Sequence, residues 1–240
     1  VPRSTFQTWN AEPGTLNCEA EPGTRNPLSW GLYVVTDRSQ TQGRPLEAVV
    51  DAALQGGAKA IQLREKDLSA RALYELAQRL LPIVRSRGAA FLINDRIDLA
   101  MALPLDGVHL ARTSLPPAEA RRLLGASRLI GISCHTVEEA MEEAQEGADF
   151  IVLGPVFPTP SKVAYGPPVG LERLREVRRR IELPILGIGG VTESNAAEVI
   201  AAGADGVASI SAVMSAVDPA AAVRGLLQVV HAASAHVDRD

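Results

Sequence analysis

The sequence predicts a single (β/α)8 TIM barrel. Three observations predict it. From residue 31 onward, short apolar, β-branched runs alternate eight times with amphipathic stretches rich in Ala, Leu, Arg and Glu. The alternation recurs about every 26 residues, the size of one strand–helix unit. The runs are continuously apolar rather than alternating, as expected for strands buried on both faces and therefore parallel.

The elements follow in order. A first strand is expected over 31–36, then a helix from near Pro45. Gly57-Ala58 ends that helix and opens the second strand, 58–63, as a glycine at a helix C-terminus should. Asp67-Leu68-Ser69 marks the start of the second helix near Ser69. Strand 90–93 precedes a helix from Ile97, strand 107–110 one from near Pro116, and strand 129–133 one from near Thr136. Gly147-Ala148 repeats the helix-to-strand junction before strand 150–153, and Gly203-Ala204 repeats it before strand 206–210. Between them lie a helix from near Val169, strand 184–188, and a helix introduced by Thr192-Glu193-Ser194. A last helix begins near Pro219. An open doubly wound sheet is the competing architecture, but it needs a glycine-rich fingerprint after the first strand. Thr36-Asp37-Arg38-Ser39 is not one.

Residues 1–28 carry four prolines and two copies of Glu-Pro-Gly-Thr without helical or strand period. They read as a flexible extension to a barrel over 29–240. With 46% hydrophobic residues in 240, one sizeable core is available and global disorder is excluded. A net charge of −4 and only 4% aromatic residues argue against nucleic acid and anionic membranes as partners. No apolar run reaches a bilayer-spanning length and no secretory signal is visible, so a cytoplasmic protein is expected. Cys18 and Cys134 are too few for a metal cluster or a disulfide framework.

In a barrel of this type, chemistry sits where strands end and the following loops begin. The second strand ends in Gln62-Leu-Arg-Glu-Lys66. Alternation sends Gln62, Arg64 and Lys66 to one side, where an amide, a planar fork and a point charge would clamp an anion. A solvated loop is the plainer reading. The third strand ends in Asn94-Asp95. Asp95 is open to three readings: an ion-paired carboxylate, a Mg²⁺ ligand against phosphate, or the cap of the following helix. The fifth ends in Ser133-Cys134-His135. Adjacent side chains diverge, so Cys134 reads as buried filler rather than a nucleophile. Ser133 takes the mouth-facing side, and His135 reads either as a helix-start residue or as a proton shuttle.

The loop 154–170 holds five prolines and three glycines, and its length suits a lid. Thr159, Ser161 and Lys162 within it are donors that could close over an anion. Gly187-Ile-Gly-Gly190 and Ile210-Ser211 end the seventh and eighth strands, the usual place of a monophosphate cradle. The mouth therefore offers two anion sites, one cationic and one built from backbone. Two phosphorylated small molecules joined across it, with diphosphate as leaving group, would account for both.

These residues resemble the thiamine phosphate synthase family, which includes a branch of thiazole tautomerases. The likeness covers 31–232 and rests on Tyr33-Val-Val-Thr-Asp37, Gln62-Leu-Arg-Glu-Lys66, Ile93-Asn-Asp95, Asp106-Gly-Val-His109, His135-Thr-Val-Glu-Glu139, Gly147-Ala-Asp149, Gly154-Pro-Val-Phe157, Gly187-Ile-Gly-Gly190 and the run from Gly203 to Ser211. It implies a dissociative transfer of hydroxymethylpyrimidine from its diphosphate to the nitrogen of a thiazole phosphate. Gln62, Arg64, Glu65, Lys66 and Asn94 would then bind the pyrimidine diphosphate, and Asp95 would hold Mg²⁺. Ser133 would face the pyrimidine and Lys162 would clamp departing diphosphate. Thr159 and Ser161 would touch the thiazole, with Gly189, Ile210 and Ser211 around its phosphate. The resemblance implies a second metal carboxylate after the fourth strand, where this chain has Ser114 instead. Two alternatives accompany the synthase: a tautomerase with His135 as acid and base, and a non-catalytic binder of thiazole phosphate. Small-molecule substrates are the expected partners, and a homo-oligomer is compatible with the sequence.

Overall fold

A computed structural model of the protein describes residues 29–159 and 168–237. The expected extension, 1–28, and part of the long loop lie outside the described residues. Eight strands are described: β1 Leu32–Val35, β2 Ala60–Leu63, β3 Ala90–Asn94, β4 Gly107–Leu110, β5 Leu129–Cys134, β6 Phe150–Leu153, β7 Ile185–Ile188 and β8 Gly206–Ser209. They pair in parallel, each with the next, and β8 returns to β1 to close the barrel. Closure excludes the doubly wound alternative. The helices are α1 Leu46–Gln55, α2 Ala70–Ser86, α3 Ile97–Ala102, α4 Pro117–Leu124, α5 Val137–Gln145, α6 Gly170–Arg180, α7 Ala196–Ala201, α8 Ser211–Met214 and α9 Pro219–Val237. None among the described residues is long and apolar enough to cross a membrane.

Both strand faces are buried, which is why the runs read as continuously apolar. Alternation divides them into two cores. Outward-facing Val34, Ile61, Leu63, Phe91, Ile93 and their neighbours meet the apolar stripes of the helices. Inward-facing Tyr33, Ala60, Leu92, Phe150, Leu186 and Ala208 fill the barrel with Trp30. Trp30 meets Phe150 edge-on at 5.3 Å between centroids and Tyr33 at 5.4 Å, so aromatic rings plug the bottom.

The bottom is pinned by a repeated carboxylate. Asp106 accepts from the Phe91 N–H at 2.8 Å, Asp149 from the Ile130 N–H at 2.6 Å, and Asp205 from the Ile185 N–H at 2.8 Å. Each satisfies a backbone donor at the start of the strand before its own. Asp149 and Asp205 also pair with Arg121 and Arg178.

Helix starts agree with those expected from the sequence, and a side-chain cap holds them, at two places. Ser69 accepts from the Ala72 N–H, and Thr136 from the Glu139 N–H, while the Glu139 carboxylate takes the His135 N–H. At a third place they differ. Helix α7 starts after Asn195, not at Thr192, because the Asn195 side chain accepts from Thr192 N–H and donates to Gly190 carbonyl. Those bonds hold 192–195 as a turn. The short helix α8 was not expected; it leaves β8 directly at Ile210, whose carbonyl accepts from Val213 and Met214 N–H.

Candidate active site

Side chains at the strand C-termini that share the parity of the inner core converge on one cavity of about 500 Å³. From β1 comes Val35, one pleat above Tyr33, and from β2 come Gln62 and then Arg64 and Lys66. Gln62 is buried and donates to the Tyr33 hydroxyl at 3.2 Å, which fixes the amide against the wall. The Arg64 N–H donates to Thr36 Oγ1 at 2.9 Å, which anchors its backbone at the rim. Asn94 ends β3, and Ser133 and His135 come from the end of β5. The carbonyl end of β6 supplies Gly154, and Thr159 follows in the loop.

The far arc of the rim is backbone. Gly189 and Gly190 follow β7 with φ of +96° and +66°. A Cβ on Gly189 would come within 2.5 Å of Pro155, and one on Gly190 within 2.8 Å of the Pro158 carbonyl. Only glycine fits there. Ile210 and Ser211 at the start of α8 complete this arc, so cationic and backbone sites border one cavity. A more open groove of about 580 Å³ lies outside the barrel beside the N-termini of α1 and α2. Two of its arginines are ion-paired, Arg38 with Asp67 and Arg79 with Glu47, and the third, Arg44, is held by the carbonyls of Thr41 and Met214.

Some expected residues are placed elsewhere. Glu65 falls between the two mouth-facing cations and points outward. It is buried, accepts from the Thr36 hydroxyl at 2.7 Å and from the Arg38 N–H, and pairs with the Arg38 guanidinium. Glu65 therefore ties β2 to the loop after β1, rather than binding substrate from the mouth. Ser114 lies outside the cavity, and its hydroxyl oxygen accepts from the Ala111 N–H at 2.9 Å to brace its own turn. Asp95 is exposed on the rim next to Asn94 and is not part of the cavity wall. Ser161 and Lys162 lie outside the described residues.

The reading of Cys134 as filler agrees with its surroundings. It is fully buried and absent from the cavity wall, and burial together with Glu143 and Glu139 pushes its thiol up to about 12. His135 Nδ1 is hydrogen-bonded to the Gly154 carbonyl. A carbonyl only accepts, so Nδ1 carries a proton, and the neutral ring has its lone pair on Nε2.

Two polar wall residues, His109 and Gln40, have no role in the sequence reading. His109 is 3% exposed, lines the cavity, and its Nε2 lies 2.9 Å from Ser133 Oγ. Burial, reinforced by the Arg64 charge, holds its pKa down at about 3. Parity could have found it: His109 is two residues after Gly107, and both face inward. Gln40, in the 3-10 turn Arg38–Gln40, also reaches the cavity from a segment with no strand or helix period.

Comparison with known proteins agrees with this architecture. The family model described as thiamine monophosphate synthase matches residues 32–213. A thiamine-phosphate synthase of Roseiflexus castenholzii is 50% identical over 198 residues, 82% of this chain and 87% of that protein. One from Moorella thermoacetica is 49% identical over 201 residues, 84% and 96% of the two chains. The solved thiamine phosphate pyrophosphorylase of Pyrococcus furiosus superposes with a TM-score of 0.78 at 39% identity, covering 87% of this chain and 98% of that one. With a cavity of this make-up at the mouth of a barrel of this topology, the chain belongs to the thiamine monophosphate synthase family.

Proposed function

We propose that the protein is a thiamine phosphate synthase: a transferase that joins hydroxymethylpyrimidine diphosphate to a thiazole phosphate and releases diphosphate. A carboxylated thiazole would also lose carbon dioxide. The observation that carries this reading is the single cavity bordered on one arc by Gln62, Arg64, Lys66 and Asn94 and on another by Gly189, Gly190 and Ser211. One arc suits a diphosphate, the other a monophosphate.

Arg64 offers a planar fork and Lys66 a point charge to the diphosphate as the carbon–oxygen bond breaks and negative charge gathers on the leaving group. Gln62 and Asn94 orient the pyrimidine end, and Ser133 faces the ring. The pyrimidine cation is captured by the thiazole nitrogen, held in line by the glycine arc on its phosphate. Thr159 would touch the thiazole, and the family resemblance gives Ser161 the same role and Lys162 a clamp on departing diphosphate. No protein nucleophile is needed, which agrees with the buried thiol of Cys134.

Asp95 is the carboxylate that would hold Mg²⁺. Among the described residues no three His, Cys, Asp or Glu gather as a metal site. Mg²⁺ is satisfied by one or two carboxylates with phosphate oxygens and water, so Asp95 with the substrate diphosphate fits. Ser114 adds no anionic ligand. When bound, the ion neutralises charge on the diphosphate oxygens. The chemistry and the few cysteines suit the cytoplasm.

The test is diphosphate release from the purified protein with both substrates and Mg²⁺. Turnover is expected, and Arg64→Ala should lower kcat about 100-fold. No release from the wild type would overturn the reading.

The His135 geometry favours a second reading, proton transfer on the thiazole. With Nδ1 tied to the Gly154 carbonyl, the neutral ring offers its Nε2 lone pair from the cavity wall as a proton acceptor. Deuterium exchange into thiazole phosphate without pyrimidine or Mg²⁺ would support it, and His135→Asn should abolish that exchange. Exchange at the uncatalysed rate would remove it.

A further inference from the structure

Among the described residues, His109 Nδ1 is the buried side-chain nitrogen or oxygen left without a hydrogen-bond partner. Its surroundings decide which ring nitrogen carries the proton. Nδ1 sits over the bare Cα of Gly131, where an added Cβ would meet it at 2.7 Å and the Phe150 Cζ and Cε1 at 2.2 and 2.7 Å. Nδ1 is therefore packed beside Gly131, with no acceptor within reach. A buried N–H there would be an unsatisfied donor, the rarer and costlier defect. A bare lone pair is the lesser one. The groups packed around the imidazole are Tyr33, Phe150, Ser133 and the field of Arg64, and none is an anion that would draw a second proton onto it. The ring is neutral, with its proton on Nε2.

The consequence falls on Ser133. If Nε2–H donates to Ser133 Oγ across the 2.9 Å contact, the hydroxyl has accepted and must give its own proton elsewhere. Ser133 lines the cavity, and no acceptor among the described residues takes that proton. We propose that His109 is a positioning residue: it fixes Ser133 as a one-way donor into the cavity, so that this position selects a heterocycle presenting an unprotonated ring nitrogen. The inference rests on the synthase reading for the identity of that heterocycle, the pyrimidine. It does not rest on it for the polarity of the pair.

Two measurements test it. Nitrogen-15 NMR of the histidine-labelled wild type, with the His109 signal assigned by its loss in His109→Gln, should show Nε2 protonated and Nδ1 bare from pH 8 to pH 5. A proton on Nδ1, or a ring that titrates in that range, would overturn the proposal. In kinetics, Ser133→Ala and His109→Leu should each raise the KM for pyrimidine diphosphate about ten-fold. They should leave the KM for thiazole phosphate unchanged, and the double variant should be no worse than either. His109→Gln, which keeps a donor near the Nε2 position, should recover most of the loss. Additive losses, or equal changes for both substrates, would overturn it. A wild type without turnover would instead count against the synthase reading, and the NMR result would still decide the polarity of the pair.

Discussion

His109 is buried in the cavity wall, and that makes stability depend on pH in a definite direction. An unfolded histidine takes up a proton near pH 6.5. In the folded barrel the same ring resists protonation down to about pH 3, through burial first and the Arg64 charge second. Between these values the unfolded state binds more protons. The stability contribution is therefore complete above about pH 6.5 and is lost progressively as pH falls toward 3. Full occupancy of that difference corresponds to about 1.4 kcal/mol per pH unit. Urea unfolding of the wild type and of His109→Gln at pH 7.5, 6 and 5 should show the wild type losing stability faster by about that slope below pH 6.5. Parallel curves would mean that the ring is already charged or solvated in the folded protein. Cys134, two residues above Ile132 on the outward face of β5, shows the opposite case: burial there silences a thiol that the site does not use.

Each strand divides labour between its two ends, and mutations should separate along that line. Asp149 at the bottom holds the Ile130 N–H at 2.6 Å and the Arg121 guanidinium. Asp149→Ala should cost about 1–3 kcal/mol, read as a lower melting temperature, and leave both KM values unchanged. Gly190 at the top is the reverse. Gly190→Ala forces a Cβ into Phe157 and the Pro158 carbonyl at 2.8 Å at a φ of +66°. It should raise the KM for thiazole phosphate well before it unfolds the protein. The strands themselves were legible in the sequence: 107–110 and 150–153 match β4 and β6 end for end, because buried parallel strands write one apolar run each. That the β2 cations and the glycines after β7 share one cavity was legible because parity on β2 and glycine pairs after β7 carry simple geometry. Glu65 within the same charged run went the other way, since alternation turns every second residue outward and its partner Arg38 is remote in sequence. Ser114 was not legible because a serine that braces its own turn reads the same as one that faces a ligand. The start of α7 and the existence of α8 depend on bonds from Asn195 and Ile210 to backbone groups, which leave no periodic signal over so few residues.

A barrel closes only when its first and last strands meet, so residues far apart in sequence must be in place together. Tyr33 stands between Ala60 and Ala208, on neighbouring strands from the start and end of the chain. Arg44, after β1, donates to the Met214 carbonyl at 2.9 Å, and Gln42 to the Ser215 carbonyl, which cap the end of α8. Over this seam lies α9. Val223, Leu226 and Val230 are buried, and the backbone of Gly56 approaches Ala220 so closely that a Cβ there would stand 2.6 Å from its carbonyl oxygen. Burying these three side chains contributes roughly 5–9 kcal/mol. The stability of a whole domain is about 5–15 kcal/mol, so the cover on the seam is worth much of the total. A chain ending at Asp218 should therefore fail to form the barrel at all rather than form a shortened one. Circular dichroism should show no cooperative thermal transition and no diphosphate release. Val230→Ala, which removes only part of one contact, should melt cooperatively at a lower temperature with unchanged KM values. A truncated chain that melted near the wild-type temperature would show that the strand ladder closes without its cover, and that α9 packs on a barrel already complete.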